Sequence, residues 1–123
     1  MKNIVTTIPK SKFKDWRTCE RTVTLCDGET PRNNDGQPWF WTINTMNLPK
    51  DIEIGQSVCY MIFDGKIRGY FDLVDTDISE NWRNRHDIGK PRVTKCIVMA
   101  NWHPCPNLPM HGFQGWRYTE LKP

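Results

Sequence analysis

Flat aromatic rings, guanidinium groups and a glutamine set between glycines are the side chains of this chain best suited to recognition chemistry. They gather in the run Trp102-His-Pro-Cys-Pro-Asn-Leu-Pro-Met-His-Gly-Phe-Gln-Gly-Trp-Arg-Tyr118. Three prolines there remove backbone donors and fix φ, so the run is not a helix. Gly112 and Gly115 open turn conformations closed to other residues. Further rings lie at Trp39, Trp41 and Trp82, and the chain holds six tryptophans in 123 residues. A single small core cannot easily bury six indoles, although any one of them is an ordinary core residue. Trp82 sits in the otherwise polar stretch Asn81-Trp-Arg-Asn-Arg-His86, with Arg83 and Arg85 beside it. A base offers a π-face and its phosphate needs a cation, so tryptophan interleaved with arginine suits nucleic acid. Arg68 and Arg117 extend the basic set, and the Gln114 amide, which donates and accepts together, could read a base edge. Against this stand an ordinary solvated basic surface and a plain β-turn at Gln114.

Other chemistry is weaker. Cys96, His103, Cys105 and His111 lie within sixteen positions but lack the two close pairs of a zinc site, so no metal and no cofactor are expected. A Cys105 dyad with His103 or His111 has only sequence proximity behind it. A set drawn from Lys12 or Lys14, Thr18 or Thr22, and Asp72 or Asp75 could support amide hydrolysis, but nothing in the spacing demands it. No P-loop, GxSxG or HExxH motif occurs.

Charge is uneven. Residues 1–50 hold 8 basic and 5 acidic groups, 51–80 hold 2 and 7, and 81–123 hold 7 and 2, for a net charge of +3. The basic last third would attract phosphate if it formed one surface. A content of 37% hydrophobic and 25% charged residues indicates an ordered domain rather than a disordered chain. The length suits one domain over residues 1–123. No apolar run approaches the roughly 20 residues of a membrane span. The first residues lack the apolar core of a secretory signal, and five irregularly spaced cysteines suit a reducing cytoplasm better than a disulfide framework.

The elements that must position these residues are mostly strands. Asp64-Gly65 between two β-rich runs, 57–63 and 66–74, is a strong type I′ hairpin signal. Strands are also expected at 21–26, 39–43, 92–102 and 115–121, with short helices after Ser11 and from Ser79 to about Arg85, and with frayed termini. About six strands with turn signals between them argue a small barrel or sandwich.

The run Leu48-Pro-Lys-Asp-Ile-Glu-Ile-Gly-Gln-Ser-Val-Cys-Tyr60, with the hairpin that follows it, resembles the centre of a PUA-like domain of the ASCH and EVE branches. The tail Pro109-Met-His-Gly-Phe-Gln-Gly-Trp-Arg-Tyr118 is similar to the tail of small phage and bacterial proteins of that type. Two departures stand out. Gln56 occupies a position where the family often has Asp, and the Gly-x-Lys-Thr signature of catalytic ASCH members is absent. The resemblance implies an α+β fold, a small mostly antiparallel β-barrel with one or two short helices at its rim. It also implies a cleft for RNA or for a modified or flipped base, and binding rather than amidohydrolase chemistry.

The expectation is therefore a cytoplasmic, non-membrane nucleic-acid-binding domain for RNA or modified DNA, without assigned catalytic residues. Trp39, Trp41, Trp82, Trp102 and Trp116 are the candidate walls, Arg68, Arg83, Arg85 and Arg117 the phosphate or base-edge contacts, and Gln114 the reader. Two alternatives remain at this stage: a small hydrolase acting on a modified nucleoside, and a phage-encoded protein that docks on a host protein partner.

Overall fold

Among the described residues, six strands join into one sheet in the order β2-β5-β4-β3-β1-β6, curled into a half-barrel with one α-helix against it. The structure is a computed structural model that describes residues 1–32, 34–82 and 95–123. The strands are β1 Asn3–Thr7, β2 Trp41–Thr45, β3 Val58–Phe63, β4 Lys66–Ile78, β5 Lys95–Pro109 and β6 Trp116–Thr119, and the helix is α1, Trp16–Leu25. Short 3-10 turns occupy Lys10–Lys12 and Ser79–Trp82. No helix among the described residues is long and apolar enough to cross a membrane. All pairings are antiparallel except β1 with β3. The expected mostly antiparallel α+β architecture therefore stands in this coarser form.

The β3–β4 hairpin forms where the sequence placed it. Asp64 and Gly65 have φ of 53° and 74°, the left-handed pair that a two-residue type I′ turn requires. The two faces of the sheet carry separate cores. Cys59, Met61, Phe63, Phe71, Leu73, Ile97 and Met99 point towards α1, and Val58, Tyr60, Ile62 and Ile67 point away from it. Every residue of β3 is buried, because both faces are covered.

Four sequence expectations are corrected. Residues 21–26 are not a strand but the second half of α1 and its C-cap. Trp16, Cys19, Val23 and Cys26 recur at helical spacing, and this apolar stripe outweighs the β propensity of the Thr-Val-Thr-Leu run. The helix starts at Asp15, whose carboxylate accepts from the Thr18 N–H at 2.8 Å, rather than at Ser11. The amino-terminal residues are not frayed: β1 lies between β3 and β6, with Ile4 and Val5 buried. Finally, β5 continues through three prolines to Pro109 instead of giving way to a loop after Trp102. β2 pairs with β5 only at residues 95–99, so the stretch beyond is an edge, where a proline's missing donor breaks no second ladder.

Candidate nucleic-acid interface

A continuous row of rings crosses the α1-facing side of the sheet. Phe13 stacks on Trp41 (6.2 Å between centroids, 26° between planes), and Trp41 stacks on Phe71 (6.1 Å, 21°). Phe71 meets Trp102 edge-on at 5.1 Å, Trp102 meets Trp16 at 5.7 Å, and Trp16 meets Phe63 at 5.8 Å. Phe71 and Phe63 are buried, whereas Phe13, Trp16, Trp41 and Trp102 each keep part of their surface exposed. Five segments supply these rings: the chain entering α1, α1 itself, β2, the β3–β4 hairpin and β5.

Trp102 is held by the backbone opposite it. Gly69 pairs with Pro104 across the β4–β5 ladder, where the register shifts between Ile67 and Gly69. A Cβ at residue 69 would stand 2.5 Å from Trp102 Cζ2, so the indole approaches bare backbone there. The Trp102 Nε1–H is buried without a hydrogen-bond partner, which is true of no other buried side-chain nitrogen or oxygen among the described residues.

Arg68, in that same shifted stretch, turns its guanidinium over Trp16 at 5.3 Å and donates from Nε to the Phe63 carbonyl at 3.1 Å. It forms no ion pair among the described residues. Beneath, burial pushes the Cys19 thiol up to about 12, although the Arg68 charge pulls it the other way. That thiol is therefore protonated packing, not a nucleophile.

The predicted site residues divide among several places. Trp41, Trp102 and Arg68 meet in the ring row, and Trp39 packs on the same core. Trp82 is separate: its Nε1 donates to Asp77 at 2.9 Å and its ring meets Phe40 edge-on. Trp116, Arg117 and Gln114 belong to the far end of the sheet, since β4, β3 and β1 lie between β5 and β6. There the Trp116 Nε1 donates to the Asn47 carbonyl, Arg117 lies over Phe113 at 4.1 Å, and Gln114 is exposed in the turn before Gly115. Arg83 and Arg85 fall outside the described residues. The sequence reading did not include Phe13, Trp16 and Phe71. The helical spacing expected for Phe13, Trp16 and Arg17 grouped the first two rings, but Phe13 lies in extended backbone ahead of α1 and only Trp16 is helical.

The Cys, His and carboxylate groups considered for chemistry lie elsewhere. His103 Nε2 is 3.1 Å from Asp72 Oδ1 and its ring stacks on Tyr70 at 4.8 Å, beside the core that faces away from α1. Lys10 pairs with Asp64 at 3.0 Å with both side chains more than half exposed. No family model, no curated protein and no solved structure matches this chain.

Proposed function

We propose that this domain binds nucleic acid and takes an unstacked base, of RNA or of modified DNA, against the ring row of Phe13, Trp41, Trp102 and Trp16. The observation that carries this reading is the row itself: two part-exposed ring pairs, Phe13–Trp41 and Trp102–Trp16, joined through the buried Phe71, with a guanidinium at one end. Such rings stack on any base, each contact contributing about 1–3 kcal/mol. The resemblance to PUA-like domains points the same way and suggests a modified or flipped base. The hydrolase alternative calls for a lysine and a carboxylate facing each other inside the site, and Lys10–Asp64 at the surface does not meet that description.

The test is a titration of labelled RNA, single-stranded DNA and duplex DNA, with and without modified bases, at two salt concentrations. Binding that weakens about tenfold or more in Trp102→Ala supports the reading. No binding by the wild type at low salt, or no loss in the variant, rejects it.

A further inference from the structure

The segment that carries Phe13 and Trp16 into the ring row is also the most basic short stretch among the described residues. Lys10, Lys12, Lys14 and Arg17 fall within eight positions, against a single acid, Asp15. Two of these five charges are already engaged. Lys10 pairs with Asp64, and the Asp15 carboxylate is taken up by the Thr18 N–H and hydroxyl at 2.8 Å each. Lys12, Lys14 and Arg17 are exposed and, among the described residues, make no ion pair or side-chain hydrogen bond. They alternate with the rings: Lys12 and Lys14 flank Phe13, and Arg17 follows Trp16.

Arg68 adds a fourth cation from the sheet. Its Nε is used on the Phe63 carbonyl and its plane lies over Trp16, so its orientation is set from two sides. Its two terminal nitrogens have no hydrogen-bond partner among the described residues, and the side chain is half-buried. A guanidinium held in this way, short of a carboxylate, presents two parallel donors to a bidentate anion. Phosphate fits that fork, and a phosphate lies next to every base in a strand.

We infer that Lys12, Lys14, Arg17 and Arg68 form a phosphate track beside the ring row, so that the ligand is a single strand carrying several phosphates rather than a free base or nucleoside. The inference rests on the base-binding reading above and adds the backbone half of the contact. A single strand is favoured over a duplex because bases must leave their stack to meet the rings while their phosphates stay within reach of the lysines.

The probe is a fluorescein-labelled mixed-sequence octanucleotide, as DNA and as RNA, with polyglutamate of similar charge as the competing polyanion. Affinity is measured from 50 to 300 mM salt. For single strands the log–log slope falls by about 0.7 for each phosphate contact, so four contacts give a slope of roughly −3. Lys12→Gln/Lys14→Gln should reduce the slope by about 1.4 and weaken binding roughly tenfold or more at 50 mM salt. Lys50→Gln/Lys122→Gln, which removes two exposed lysines elsewhere, should leave the slope unchanged. All four positions are exposed, so both variants keep the fold. Octanucleotide binding with equal slopes in the two double variants overturns the track and leaves the base-binding reading standing. Equal affinity for polyglutamate also overturns it, in favour of an acidic protein partner. No octanucleotide binding at 50 mM salt overturns both.

Discussion

Gly69 and Trp102 occupy one space that only a hydrogen at residue 69 leaves free. A Cβ there would stand 2.5 Å from Trp102 Cζ2 and closer still to the carbonyl oxygen of His103. The carbonyl is backbone in the β4–β5 ladder, so it cannot move aside as a side chain would. Gly69→Ala should therefore destabilise the domain by about 1–3 kcal/mol, read as a lower urea midpoint with an unchanged slope. It should also shift the Trp102 emission. Unchanged stability would mean that the indole does not rest on this backbone.

Trp102 also separates packing from recognition. Trp102→Phe keeps a ring against Phe71 and Trp16 and removes the unpaired Nε1–H. The lost ring area and the relieved donor act in opposite directions, so stability should stay within about 1 kcal/mol of wild type. Binding should weaken several-fold as the stacking surface shrinks. A large stability loss with unchanged binding would make Trp102 a packing residue alone.

Much of the sheet is legible in the sequence, and the failures have identifiable causes. The hairpin at Asp64-Gly65 is plain because two consecutive left-handed residues are a local requirement with few sequence solutions. α1 is misread because Thr22, Val23 and Thr24 favour strands locally, whereas the stripe of Trp16, Cys19, Val23 and Cys26 becomes decisive only when a sheet covers it. β1 is missed because a parallel partner fifty-odd residues away leaves no turn signal. The candidate site is legible only in part. Trp41, Trp102 and Arg68 are picked out by type, but the fold places Trp116 across three strands from Trp102 while Phe13 stands beside Trp41 and Trp16 beside Trp102.

One hydroxyl ties the far edge of the sheet to the chain at residues 50 and 51. Tyr118 Oη accepts from the backbone N–H groups of Lys50 and Asp51 at 2.8 and 3.0 Å. Both donors are exposed and water can replace the hydroxyl, so Tyr118→Phe should cost about 0.5–1.5 kcal/mol. The loss should be local: amide exchange at residues 50 and 51 should accelerate while β3 and β4 stay protected. Uniform acceleration across the sheet would contradict this.

Acid should loosen the turn after α1. The Thr30 hydroxyl first, then the Glu29 and Thr30 N–H groups, hold the Asp27 carboxyl well below the usual carboxylate range. The folded state therefore favours the ionised form. The stability this contributes is present above about pH 4, the ordinary Asp value, and is lost as pH falls towards the folded value. Asp27→Asn should melt lower than wild type at pH 6, and the gap should narrow steadily as pH falls from 4 to 2. A gap that stays constant over this range would assign the effect to something other than ionisation.

The thiols should divide by burial. Cys19, Cys26, Cys59 and Cys96 are buried, and burial pushes Cys19 up to about 12 and Cys26 up to about 11. Only Cys105 is part-exposed. A thiol reagent at pH 8 should modify one cysteine quickly and the other four only through unfolding, slower by about 10³ or more. Fast modification of two or more would contradict the packing of α1 on the sheet.

The central claim is that the ring row holds a base, and it is tested most directly by removing the base alone. An octanucleotide and its fully abasic counterpart carry the same phosphates, so at one salt concentration their affinities differ only through the rings. The account predicts that the intact strand binds at least about tenfold more tightly, from one or more stacking contacts. It also predicts that Trp41→Ala abolishes most of that difference. Equal affinity for the two strands would contradict it.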